Sequence, residues 1–276
     1  MSIGIWSYFT LLLLTIFAVG SAYYKSRNSL IFILFFAVSG VTMFFDYLIY
    51  VWGKAYTYHS GIVNNRYDTH LGAIVNGLVL SSFAVLYSAR NGKWYWSIIL
   101  AGLFAGIELL FTEWGVYKPN WWKIGYTFSI LIFYFPVIKV WWGRLNNTPG
   151  KWLTYGTLFS LYFAIYVQLN ILLYGLLQTK TFHVEWVERL NRDSAAINSI
   201  NALVFSLMLA LIGIMNARQF WNFIMMAVFI VYYFVLKTSG IIQTDHLVMD
   251  FILSFLAFFI PLVFVRYASS KVYSHS

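Results

Sequence analysis

The sequence predicts an all-α, polytopic membrane helix bundle, and three observations carry that reading. The 276 residues are 61% hydrophobic and only 10% charged, whereas an average soluble domain carries about 25% charged residues. No soluble fold of this length could hide so much apolar surface, so lipid must be the solvent for much of it. The apolar residues also fall into stretches of the length that crosses a bilayer, about 17–25 residues, and the basic residues collect in the short segments between them. The chain therefore reads as a single integral membrane domain, 1–276.

Nine spans are expected, at 5–24, 29–52, 70–89, 94–111, 121–142, 152–177, 196–215, 220–237 and 247–266. The fourth is short and 220–237 is the least convincing, so the loss of either would leave eight. The first span is not read as a cleaved leader. Met1 to Trp6 carries no positive charge, while Lys25 and Arg27 follow the apolar run, the reverse of a signal peptide's polarity. Starting outside and alternating through nine spans gives one side Lys25, Arg27, Arg90, Lys93, Lys139, Arg144, Lys151, Arg218, Arg266 and Lys271, and no acid. All nine acids fall to the other side, in its loops or the nearest span halves. The positive-inside rule then places the N-terminus out and the C-terminus in. Tyr95/Trp96, Trp121/Trp122 and Trp141/Trp142 crowd span ends as an interfacial aromatic belt.

Two outer connections are long. The first, 53–69, offers His59 and Asp68 as contact residues; the second, 179–195, offers His183 and Glu185. The second also reads as a short interfacial amphipathic helix, with Phe182, Val184, Trp186, Val187 and Leu190 on its apolar side. Asp68-Thr69-His70-Leu71 and Thr244-Asp245-His246-Leu247 each open a span, which suggests a weak repeat of 29–90 with 220–267.

The candidate site starts from Asp46. It lies roughly 9 Å inside its span at 1.5 Å per residue, where an ionised carboxylate costs up to about 2.5–3.5 kcal/mol. Ser39, Thr42, Asp46 and Tyr50 share one helix stripe. His70, Ala73, Gly77 and Ser81 share another in the third span, Ala101, Ala105 and Glu108 one in the fourth, and His246, Asp250 and Ser254 one in the ninth. Gly102 and Gly106 form the spacing at which helices approach closely, so Glu108 should face protein. Asp46, Glu108, Asp250, His246 and His70 are therefore expected to meet as a proton- or cation-binding cluster near the outer face.

Several chemistries have no support. The chain has no cysteine, which excludes disulfides and thiolate ligands. It contains no phosphate-binding loop, no His-Glu-x-x-His and no Gly-x-Ser-x-Gly. His183, Glu185 and Glu188 are metal-binding types without a recognised spacing, so no metal and no cofactor is assigned. The net charge of +9 is explained by membrane orientation rather than nucleic acid.

Phe44-Phe45-Asp46-Tyr47, Tyr67-Asp68-Thr69-His70-Leu71-Gly72 and Glu108-Leu109-Leu110-Phe111-Thr112-Glu113-Trp114-Gly115-Val116-Tyr117 resemble runs in small multipass membrane proteins of endospore-forming Gram-positive bacteria. The resemblance implies a bacterial plasma-membrane address and no activity. Three functional readings remain. The first is a transport or permeation protein for a small molecule or ion. The second is an enzyme acting on a lipid-linked substrate with the same acids as general acid and base. The third is a scaffold or sensor subunit whose outer loops contact another membrane protein or a second copy of the chain.

Overall fold

The computed structural model describes residues 3–59, 61, 65–147, 149–172, 177, 179–184, 193–214 and 220–274. Among them are nine α-helices: α1 (Ile3–Ser26), α2 (Leu30–Asp46), α3 (Asn65–Ala89), α4 (Trp94–Glu113), α5 (Ile124–Asn146), α6 (Lys151–Ile171), α7 (Asp193–Ile214), α8 (Phe220–Thr238) and α9 (Leu247–Ser274). A π-helical stretch, Tyr47–Trp52, continues α2. Four short strands complete the fold: β1 (Tyr56–Tyr58), β2 (Tyr117–Pro119), β3 (Thr181–Phe182) and β4 (Ile242–Gln243).

Eight of the described helices are long and apolar enough to cross a membrane, so the chain is an integral, multi-pass membrane protein. Both spans that looked weak, α4 and α8, are among the eight. The helix that is not among them is α6, whose Thr154, Thr157, Tyr162, Tyr166, Gln168 and Asn170 dilute its apolar character. Its position explains why it can be polar. It packs against α2, α7 and α9, and its central Tyr162, Ala164 and Val167 are fully buried. Protein packs around it, and several of its polar side chains find partners there, as Thr157, Gln168 and Asn170 do.

The order of elements repeats. After α1 the chain runs helix, strand, helix, helix, strand, helix from α2 to α5, and again from α6 to α9. In each unit the two strands pair antiparallel: Tyr56 opposite Pro119, Thr57 opposite Lys118 and Tyr58 opposite Tyr117 in the first, Thr181 opposite Gln243 and Phe182 opposite Ile242 in the second. This architectural repeat matches α3 with α7 and α5 with α9 in order, a different register from the sequence likeness between 68–71 and 244–247. The two halves meet mainly along α2 and α6. Gly40 makes that contact close, because a Cβ there would overlap the Ser160 carbonyl oxygen.

The second outer connection differs from expectation. Thr181 and Phe182 are strand, and His183 N–H donates to the Ile241 carbonyl at 2.9 Å to extend the pairing. The remainder of the expected interfacial helix, with Glu185, Trp186, Val187 and Leu190, lies outside the described residues.

A chamber with two unpaired carboxyls

The candidate site lies in the first half, where α1, α2, α3, α4 and α5 enclose a chamber of about 580 Å³. Its walls are mostly apolar: Val41, Phe45, Val79, Leu80, Phe104 and Leu131 contribute. Its polar groups gather at one end, where Asp46 and Glu108 both line it beside Tyr56, Tyr58, Tyr117, Trp122 and Thr127. Among the described residues that line it there is no Lys, Arg or His.

Asp46 is the last α-helical residue before the π-helical stretch. A π turn widens the backbone and re-aims side chains, and such turns recur at functional sites. The stripe read from the sequence divides here. Ser39 is turned to α6, where it accepts from Gln168 Nε2 at 2.9 Å. The Thr42 hydroxyl meets the Tyr134 hydroxyl of α5 at 2.9 Å. Asp46 Oδ1 accepts a hydrogen bond from the Tyr56 hydroxyl of β1. Its other oxygen, Oδ2, is buried with no hydrogen-bond partner.

Glu108 is treated alike by different elements. Thr127 of α5 donates to its Oε2 at 2.5 Å, and Trp122 Nε1 donates to Thr127 at 2.8 Å, so an indole orients the hydroxyl that orients the acid. Glu108 Oε1 is buried without a partner. The expected close helix approach through Gly102 and Gly106 is corrected: a Cβ at Gly106 would meet nothing within 4 Å. The buried residues Ala101 and Ala105 make the protein-facing side of α4 instead.

The strand pair closes this end. Tyr58 and Tyr117 face each other across it with ring centroids 5.1 Å apart, and Tyr56 lies 5.3 Å from Tyr117 and 6.0 Å from Trp122. Gly72 of α3 leaves room beneath, since a Cβ there would overlap the Tyr58 ring. Burial, then the neighbouring carboxyls, pushes the phenols of Tyr56 and Tyr117 well above their ordinary pKa, so they remain donors. Lys54, with φ of 53°, turns the chain into β1, and Asn120 fixes β2 to it through Nδ2 to the Lys54 carbonyl at 2.8 Å.

The other expected site residues are dispersed. His70 is buried and bonded through Nδ1 to the Tyr50 hydroxyl. It shares a small recess with Asp46, Met43, Tyr47 and Val167, toward α6 rather than in the main chamber. Asp250 belongs to the second half, where Lys180 Nζ stands 3.5 Å from Oδ1 and Tyr233 donates to Oδ2 at 2.6 Å. Lys180 also donates to Ser254 at 2.7 Å and lies 5.2 Å and 5.5 Å from the ring centres of Phe182 and Tyr233. Burial draws the Lys180 ammonium down to about 8, against the pull of Asp250. His246, His59 and His183 are exposed. Asp68 is buried and accepts from the Gly61 N–H at 3.0 Å. Among the described residues no three His, Asp or Glu side chains gather as a metal site.

Sequence reasoning did not reach Tyr56, Tyr58, Tyr117, Trp122, Thr127 or Lys180. The alternation of Tyr56 and Tyr58 was the one available signal, since period two puts both on one side of a strand. Comparison with known proteins finds no match: no family model, no curated protein and no solved structure. The chemistry of the chamber therefore stands on its own groups. Two carboxyls, each anchored through one oxygen and bare at the other, can take up a proton or accept a cation.

Proposed function

We propose that this membrane protein is a transport or permeation protein, that the chamber is its substrate site, and that Asp46 and Glu108 bind the proton or cation it handles. The observation that carries this reading is the pair of buried, unpartnered oxygens, Asp46 Oδ2 and Glu108 Oε1, on two acids that line one chamber, with no basic residue among the described residues of its wall. A buried polar atom left unsatisfied costs about 1–3 kcal/mol. Two such atoms, on two acids that line one chamber, are more economically explained by an occupant than by folding. His70, in the recess on the other side of Asp46, is placed to tune it; Asp250 and His246 have no part in this reading. The charge asymmetry of the loops supports an outward-facing acid end, and the resemblance of the runs around Asp46 and Glu108 supports a bacterial plasma membrane.

Proteoliposomes holding an internal pH indicator test it. An imposed inside-negative potential should drive acidification through the wild type, and Asp46→Asn should abolish that signal while eluting as folded protein. Equal acidification by the variant would refute the role of Asp46. The enzyme reading keeps one supporting observation, the exposure of apolar lining residues on α2 and α5 described below. Turnover of a lipid by pure protein in detergent would favour it over transport.

A further inference from the structure

Four residues that line the chamber are also strongly exposed: Phe45 on α2 and Ile130, Phe133 and Val137 on α5. Phe133 is 72% exposed and Val137 61%. The chamber therefore opens sideways between α2 and α5, toward the acyl chains. It is also long. On α5 its lining runs from Thr127 to Trp141, about 21 Å at 1.5 Å per residue. The acids and rings occupy the Thr127 end, and the remainder is apolar apart from Thr42, Asn76 and the Tyr134 hydroxyl.

The second half shows what these groups accept. There a buried carboxyl, a hydroxyl and two aromatic rings surround an ammonium, that of Lys180, with Asp250, Ser254, Phe182 and Tyr233 as its partners. The first half assembles the same kinds of group, namely carboxyls, the Thr127 hydroxyl and the rings of Tyr56, Tyr58, Tyr117 and Trp122, without an ammonium among them.

We propose that the chamber binds a lipophilic amine, one protonated or quaternary nitrogen on an extended apolar body, which enters from the bilayer between α2 and α5. The nitrogen sits between Asp46 and Glu108 under the tyrosines, where carboxylate attraction and the faces of the rings both favour it. The apolar body lies along α5 toward Trp141. A phosphate-bearing lipid head is disfavoured, because its negative charge would meet two acids and no base. This inference rests on the assignment of Asp46 and Glu108 as the cation site and adds the chemical class of the occupant.

Equilibrium dialysis of radiolabelled decyltrimethylammonium against the full-length protein in neutral detergent, with empty micelles subtracted, tests it. Saturable binding near one per chain is expected. Decanol and decyl sulfate should not compete, and tetramethylammonium should compete only at concentrations at least 100-fold higher. Asp46→Asn combined with Glu108→Gln should weaken binding at least 10-fold. Asn76→Lys, which supplies an ammonium from α3 into the chamber as Lys180 does in the other half, should abolish it in protein that still elutes as folded. Competition by decanol or decyl sulfate at equal concentration, or by a short-chain phosphatidylethanolamine, would overturn the proposal, as would undiminished binding by both variants. If the amine fails to bind while Asp46-dependent acidification of proteoliposomes persists, the ligand class alone is wrong. If both fail, the site assignment falls with it.

Discussion

The two halves of this protein carry the same order of helices and strands and treat buried charge in opposite ways. In the second half Asp250 is fully buried, and every group around it answers it: the Lys180 ammonium, the Tyr233 hydroxyl and Ser254. Nearby, Phe205, Phe229 and Phe258 pack ring on ring, with Phe229 and Phe258 stacked at 4.5 Å. In the first half hydroxyls alone hold the acids, Tyr56 on Asp46 and Thr127 with Tyr117 on Glu108, and the space beside them is a chamber. Removing one partner of a closed, buried ion pair is costly, because it strands the other charge. An acid without a cation has no such dependence, and on the proposed reading this contrast separates scaffold from site.

The contrast can be broken most forcefully at Lys180. Lys180→Met leaves Asp250 buried without its cation and should cost about 3–5 kcal/mol. Thermal unfolding in detergent should show the loss, and adding Asp250→Asn to the same chain should recover most of it. A loss that the second substitution leaves unchanged would mean that the pair is not the cause.

Next in size is the seam between the halves. Gly40→Ala pushes a methyl group into the Ser160 carbonyl and should cost about 1–3 kcal/mol by overpacking. Unchanged melting would show that the α2–α6 contact is looser than the structure has it.

The last effect is graded with the conditions: a pH dependence. The folded state holds Lys180 at about 8 and the unfolded chain at 10.5. Between those values the unfolded chain binds the proton that the folded state has released, so stability rises with pH across that window. The slope is at most about 1.4 kcal/mol per pH unit. Below pH 8 both states are protonated and this contribution is flat. The Lys180→Met, Asp250→Asn chain should lack the rise; melting measured from pH 7 to 10 would show whether it does.

How far these differences could be read in advance depends on what one dimension records. Span positions were legible because lipid demands continuous apolar runs, and α4 and α8 confirm even the marginal ones. The polarity of α6 was also visible, but its cause was not, since only packing reveals that α2, α7 and α9 wrap it. The π-helical stretch after Asp46 has no compositional mark, because it differs from α by one step of hydrogen bonding. Depth along a helix is countable, so Asp46, Glu108 and Asp250 were expected at a similar level. Lateral position is not countable, and the fold sends Asp250 to a different half from the other two. Lys180 was hidden for a related reason: it read as one more loop lysine, and its partner lies 70 residues later along the chain. The tyrosine roof was missed because strands of three residues are too short for alternation to stand out.

The central claim is that the acids of the first half are kept for an occupant and not for the fold. Parallel melting of Asp46→Asn with Glu108→Gln and of Asp250→Asn, each against the wild type in the same detergent, measures it most directly. Loss of the lone charges should leave the first variant as stable as the wild type or more so, within about 1 kcal/mol. The second strands Lys180 and should lose about 3–5 kcal/mol. Equal, large losses in both would contradict the account, because Asp46 and Glu108 would then be holding the bundle together as Asp250 does.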